Sequence, residues 1–317
     1  MKKLLLIFVL FPFLSFGQEI LIEEIHLKNG DISLPGTLSY PKSNKKSPLL
    51  IFVHGSGNID RNGNQGALAK ANYIAQLADS LNKKGISFYR YDKRTSNATN
   101  YPFLKDIKIE DFVEDVSIAI KNFKNDKRFK SIHLIGHSQG SLIAMLATNK
   151  NIKSYISLAG PSNSIDSVIV NQINKQNHEL SKITKQHFKE LKETDTIQKV
   201  NPLLLQLFAP QNQKFFKSWM SFIPKEELKK IEKPILIIQG KKDNQVTVTD
   251  ANQLFKASTT GNTSFKPAAQ LTIIDSMNHV LKTVSNATEN QQSYTSPDFP
   301  LSIDLVNNIT TFILKNE

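Results

Sequence analysis

The stretch Ile132-His133-Leu134-Ile135-Gly136-His137-Ser138-Gln139-Gly140 decides how this chain folds. Its first four residues, apolar apart from His133, read as a strand buried on both faces. The next five spell Gly-x-Ser-x-Gly, and a helical pattern starts at once, over Gln139–Thr148. In that context the turn forces Ser138 into a strained backbone conformation that lifts its hydroxyl above the sheet. Gly136 and Gly140 let strand and helix approach where a Cβ would clash. The five-residue pattern alone is common by chance. The strand before it and the helix after it make it a nucleophile elbow rather than a plain strand–helix turn.

Outward from the elbow, strands and helices alternate. Upstream lie two strand-like runs, Glu19–Lys28 and Ile32–Tyr40, joined by the hairpin dipeptide Asn29-Gly30. Leu49–Val53 is a continuous apolar strand. A helix follows with Ile74, Leu77, Ala78 and Leu81 on one side, then strand Ile86–Tyr91 and amphipathic helix Ile109–Phe123. Downstream, Tyr155–Leu158 reads as a strand, after which residues 161–228 are polar and helix-leaning, with no strand pattern and no glycine. The alternation resumes with strand Ile235–Ile238, a helix near Asp250–Lys256, strand Leu271–Ile274 and a closing helix through Leu305, Ile309, Phe312 and Ile313. This order predicts an α/β architecture: a mostly parallel, doubly wound sheet with an N-terminal antiparallel hairpin and an inserted helical cap. The core spans 18–160 and 229–317, and the cap spans 161–228.

A serine hydroxyl near neutral pH needs a base beside it. Of seven histidines, His26 lies in the hairpin, His133 in a strand and His137 within the elbow. His178 and His187 fall on the solvated face of the cap, and His54 belongs to a separate motif. His279 remains, just past the last strand, in a loop that reaches the same sheet edge as the elbow. The imidazole needs a carboxylate to fix its tautomer, and Asp243 sits in the loop after the penultimate strand. Asp250 and Asp275 compete with it, the first reading as part of a helix start and the second as a strand end. N–H donors for an oxyanion are expected from Gln139, after the nucleophile, and from the strand-end loop His54-Gly55-Ser56-Gly57. Ser56 is the first choice in that loop and Gly57 the alternative. The cap aromatics Phe215, Phe216, Trp219 and Phe222 either line a substrate pocket or pack as one buried helix face.

These motifs resemble the α/β-hydrolase superfamily: the HGSG strand end, the GHSQG elbow, the Gly-x-x-Asp loop with Asp243, and the late His279. The order Ser138, Asp243, His279 is the nucleophile–acid–base order of that fold. His54-Gly55-Ser56-Gly57 followed by Asp60-Arg61, and later Tyr91-Asp92-Lys93-Arg94, is similar to a bacterial serine carboxylesterase branch close to the serine aminopeptidase and monoglyceride-lipase groups. The resemblance implies a cofactor-free esterase acting on a small-molecule ester, with a serine peptidase or thioesterase as the alternative. Family patterns near Asp92 and Arg94 continue with glycine, whereas Thr95 follows here. Asp92 and Arg94 are expected to pin loops.

Composition is that of an ordinary globular protein and excludes several other classes. The chain has 317 residues, 39% hydrophobic and 21% charged, with no cysteine and a net charge of +12. It is therefore neither disordered nor collagen-like, and disulfides and thiolate metal sites are excluded. Only four of its 40 basic residues are arginines, and the lysines are scattered, so a solvated face is expected rather than a nucleic-acid surface. Asp60-Arg61-Asn62-Gly63-Asn64 opens like a calcium loop, but Gln65 and Ala71 occupy the positions that need glycine and glutamate, so no metal site is expected. Finally, Met1–Gly17 has two lysines, a 13-residue apolar stretch and small residues near a cleavage point. It reads as a secretory signal too short to span a bilayer, which predicts an exported protein with no stable membrane anchor.

Overall fold

A computed structural model describes residues 18–260 and 269–317. The expected signal, residues 1–17, lies outside the described residues. In chain order the elements are β1 (Ile20–Asn29), β2 (Ile32–Pro41), β3 (Ser47–Val53), α1 (Tyr73–Asn82), β4 (Ser87–Tyr91) and α2 (Ile109–Phe123). Next come β5 (Phe129–His137), α3 (Gln139–Ala147) and β6 (Ser154–Leu158). The helices α4 (Ile165–Asn174), α5 (His178–Thr194), α6 (Leu205–Phe208), α7 (Pro210–Met220) and α8 (Pro224–Leu228) follow. The chain then closes with β7 (Ile235–Gly240), α9 (Val248–Thr259), β8 (Ala269–Ile274), α10 (Ala287–Gln292) and α11 (Ile303–Lys315).

The eight strands form one sheet in the order β1-β2-β4-β3-β5-β6-β7-β8. β1 pairs antiparallel with β2, and β2 with β4; all other neighbours are parallel. Alternate residues of the central strands feed two separate cores. Leu49, Ile51 and Leu134 face one side, with Phe112, Val116 and Ile120 of α2, Leu142 and Ile143 of α3 and Leu254 of α9. Leu50, Phe52 and Ile135 face the other, with Ile74 and Leu77 of α1 and Ile309 and Phe312 of α11. Both faces are covered, which is why these strands read as unbroken apolar runs. β1, at the sheet edge, alternates between half-buried and exposed positions instead.

β5 extends beyond its apolar run at both ends because its neighbours do. Phe129 pairs with Ser47 at one end, and His137 with Leu158 at the other. Two short elements carried no sequence period: α10, whose residues are ATENQQ, and a 3-10 turn at Ala98–Phe103. Both are fixed by side-chain caps, Asn286 accepting from the Glu289 N–H and Asn97 from the Thr99 N–H. The carboxyl ends of β3, β5, β7 and β8 gather the four loops that carry the marked residues.

Candidate active site

Ser138 stands between β5 and α3 with φ 54° and ψ −119°, a conformation that L-residues adopt only when their surroundings hold it. Two contacts hold it. The Ser138 N–H donates to the Leu158 carbonyl at 2.9 Å, and the Ser141 N–H donates to the Ser138 carbonyl at 3.0 Å. A Cβ on Gly136 would lie 2.1 Å from the Gly140 carbonyl oxygen, and one on Gly140 would lie 2.1 Å from that of Val53. Any side chain there would push strand and helix apart. The Ser138 hydroxyl makes no hydrogen bond among the described residues and opens into a cleft that His279 also lines.

Asp243 and His279 meet although 36 residues separate them. The imidazole Nδ1 donates to Asp243 Oδ2 at 2.8 Å, and both side chains are buried. The carboxylate is saturated. Oδ1 accepts the N–H groups of Gln245 and Val246 at 2.7 and 2.9 Å, and Oδ2 also accepts the Gln239 amide at 2.9 Å. Burial alone would raise its pKa, but the His279 charge and hydrogen bond, the Val246 N–H and the Gln239 amide together hold it below the ordinary carboxylate range. Asn290 of α10 ties the two loops together, donating to the Lys242 carbonyl at 2.7 Å and accepting from Asn278 at 3.0 Å. The competing aspartates are engaged elsewhere. Asp250 caps α9 with Thr247 and binds Ser162, and Asp275 pairs with Lys241 at the surface.

His137, set aside on sequence grounds, is packed into the same arrangement. Its Nε2–H donates to the His279 carbonyl at 2.8 Å, which leaves Nδ1 to face the Tyr73 hydroxyl at 3.4 Å. The two imidazole centroids are 4.8 Å apart. Burial, then the neighbouring His279, pushes the His137 pKa down to about 3, so this ring stays neutral and acts as a fixed strut. No sequence signal marked that role, because its partners lie far along the chain.

The loop after β3 lies against the elbow. His54 is buried, with its ring perpendicular to Tyr91 at 4.9 Å, while Gly55, Ser56 and Gly57 line the cleft. Burial followed by the charge of Lys93 lowers the His54 pKa to about 3, so it too stays neutral. Beneath the loop, the buried Lys93 ammonium donates to the Gly55 carbonyl at 2.6 Å and to Gln139 Oε1 at 2.7 Å. Its flanking residues fasten the surrounding loops. Asp92 accepts both arms of a bidentate contact from Arg61, and Arg94 donates twice to the buried Asp115.

The cleft encloses about 330 Å³ and is walled by Ile59, Gln65, Ala71, Tyr73, Gln245, Val280 and Tyr294 together with the loop and elbow residues. Among the described residues, no carboxylate, lysine or arginine lines it. None of its walls comes from 161–228, so of the two readings of the cap aromatics the contacts seen here are those of packing. Phe216 and Trp219 are buried, their rings parallel at 6.3 Å, and Phe216 packs on Phe188 and Phe208. Phe215 stacks edge-on against Phe112 of α2, and Phe222 packs at the edge of the same core. Contacts to α2 and within the insert draw these rings away from the cleft. His187 also departs from expectation: it is buried against Phe208, with Nε2 accepting the Asn201 N–H at 3.0 Å, whereas His178 is exposed. No group of three or more metal-ligating side chains occurs among the described residues, and no described helix is long and apolar enough to cross a membrane.

The family described as "Serine aminopeptidase, S33" matches residues 64–281. Esterase EstD of Thermotoga maritima is 26% identical over 250 residues, 78% of this chain and 58% of that protein. The chain therefore spans little more than half the length of that curated relative. Among solved structures, Est1E from Butyrivibrio proteoclasticus with bound ferulic acid has a TM-score of 0.60 at 19% identity, covering 92% of this chain and 98% of the other. The Pyrococcus furiosus esterase Pf2001 has a TM-score of 0.58 at 16% identity, covering 93% and 91%. At these identities the two structures bear on the fold alone.

Proposed function

The chain belongs to the serine aminopeptidase S33 family of α/β hydrolases, and from that premise we propose that it is a cofactor-free serine carboxylesterase for small, uncharged esters. The observation that carries this reading is that Ser138 and the Asp243-held imidazole of His279 line one cleft with no charged wall. The bond to Asp243 commits Nδ1 as a donor and leaves Nε2 as the basic nitrogen. His279 Nε2 takes the Ser138 proton as Oγ attacks the ester carbonyl, and the resulting oxyanion rests on the N–H groups of Ser56 and Gln139. Collapse expels the alcohol, which takes the proton from His279. Water, deprotonated by the same nitrogen, then attacks the acyl-enzyme and releases the acid.

An aminopeptidase needs a carboxylate to hold the free amine of its substrate, and the cleft walls hold none. The glutamates of α5 are otherwise engaged: Glu179 pairs with Lys182, Glu190 accepts the Gln198 N–H, and Glu193 faces Lys189. The test is to compare p-nitrophenyl acetate with aminoacyl p-nitroanilides. We expect ester turnover that Ser138→Ala abolishes and that a metal chelator leaves unchanged; faster anilide turnover would overturn the assignment. Export is part of the proposal and rests on the composition of Met1–Gly17. N-terminal sequencing of the secreted or periplasmic fraction should find a chain starting near Gln18, and an intact Met1 would refute it.

A further inference from the structure

A buried lysine lies under the site, and the mechanism above does not use it. Lys93 follows β4 and is fully enclosed, its ammonium 5.0 Å from the centre of the Phe112 ring. An ammonium in such a place is costly unless its protons are matched to acceptors. Two of them are, and the choice of acceptors is informative. One is the carbonyl of Gly55 and the other is the side-chain oxygen of Gln139. These are the residues adjoining, or supplying, the two proposed oxyanion donors. The Gly55 carbonyl and the Ser56 N–H belong to the same planar peptide unit, which is trans, so they point in opposite directions.

We propose that Lys93 is a positioning residue for oxyanion stabilisation: by holding the Gly55 carbonyl on the far side of its peptide, it aims the Ser56 N–H into the cleft, and through Gln139 it ties that peptide to the elbow. This inference rests on the esterase reading above. Rotation of the Gly55–Ser56 peptide would put a carbonyl oxygen where a donor is needed, and the lysine contact opposes that rotation. A charge-assisted bond to the carbonyl also polarises the peptide and makes its N–H a stronger donor. The backbone around the peptide is itself permissive: Gly55 and Gly57 flank Ser56, and Gly57 adopts φ +95°. An external anchor is what such a segment needs to present one orientation. Lysine suits the task because one side-chain nitrogen with several rotatable donors can serve two acceptors from different segments. The third direction is occupied by the aromatic face.

The experiment uses the full chain, p-nitrophenyl acetate, and a trifluoromethyl ketone inhibitor that adds to Ser138 as a hemiketal oxyanion. Lys93→Met should lower kcat by about ten- to a hundredfold with KM nearly unchanged, and should weaken the ketone by the same factor. Gln139→Leu keeps its backbone N–H and removes only the side-chain arm; it should show the same kcat-only pattern with a smaller loss, about three- to tenfold. Unchanged kcat and ketone affinity in folded Lys93→Met overturns the proposal. So does an equal rise in KM for ester and in Ki for ketone with kcat intact, which is the signature of a merely structural lysine. If Lys93→Met does not fold, unchanged kcat and ketone affinity in Gln139→Leu overturns it equally. Absence of ester turnover in the unmutated protein would instead refute the underlying esterase reading.

Discussion

Ser138 carries its side chain on a backbone conformation costing about 1–3 kcal/mol, and the structure around it spends several contacts to keep it there. The same economy governs Asp243, whose four hydrogen bonds leave it no freedom except to hold His279 Nδ1. Asp243→Asn should therefore lower kcat by about 10³–10⁴-fold while the fold survives, because an amide donor at that position favours the wrong imidazole tautomer. Steady-state kinetics with far-UV circular dichroism checks both halves. His137→Phe keeps the ring's bulk but removes its hold on the His279 carbonyl. We expect about a tenfold loss in kcat at constant KM, and no change in kcat would show that the strut is dispensable. The placement of Ser138 and His279 at one cleft, with Asp243 bonded to the imidazole, was legible because each sits at a strand end with a local signature. His137 and Lys93 were not, since their roles are defined by contacts 142, 38 and 46 residues away in sequence. No local pattern encodes such a contact.

Elements with a strong apolar period were readable, and those fixed by single hydrogen bonds were not. Helix α2 has Phe112, Val116, Ile120 and Phe123 on one buried stripe, and its sequence limits coincide with its structural ones. Helix α10 has no apolar stripe, yet its Asn290 joins the loops of Asp243 and His279. The insert illustrates a subtler limit. Its aromatic spacing showed that a helix face was buried, but not against what. With Phe216 of α7 wedged among Phe188, Phe208 and Trp219, Phe216→Ala should cost about 3–5 kcal/mol of stability. Because α7 does not wall the cleft, KM for a short ester should stay the same in the folded variant. Denaturant titration and initial rates separate the two effects, and a raised KM with unchanged stability would restore these rings to the substrate pocket.

At the scale of the whole molecule, the edge of the sheet opposite the cleft has its own lock. The buried His133 shares a hydrogen bond with Ser154 at 2.6 Å and faces Glu317, beyond α11, at 2.8 Å. Burial would raise the Glu317 pKa, but His133, Ser131 and Lys130 overcome it and hold the carboxyl down to about 2. A carboxyl depressed on folding contributes stability that is complete above its unfolded value of 4.5 and disappears as pH falls through about 2. The melting temperature of the unmutated protein should thus exceed that of Glu317→Gln at pH 6, and the gap should close as pH falls from 4.5 towards 2. A gap that persists unchanged at pH 2 would show that the carboxylate is not what holds α11.

The cleft's walls come from the segment between β3 and α1 with Tyr73 at its end, from the elbow, from Gln245 after β7, from the turn carrying His279 and from Tyr294, and the five helices after β6 contribute none. The shape of the cleft and the packing of the outer helices are thus set by separate stretches of chain. A lineage can rewrite its exterior to meet a new neighbour or habitat while its bond-breaking chemistry stands still. It can equally reshape the cleft by changing the crossing between β3 and α1, residues 54–72, with no change to the outer helices.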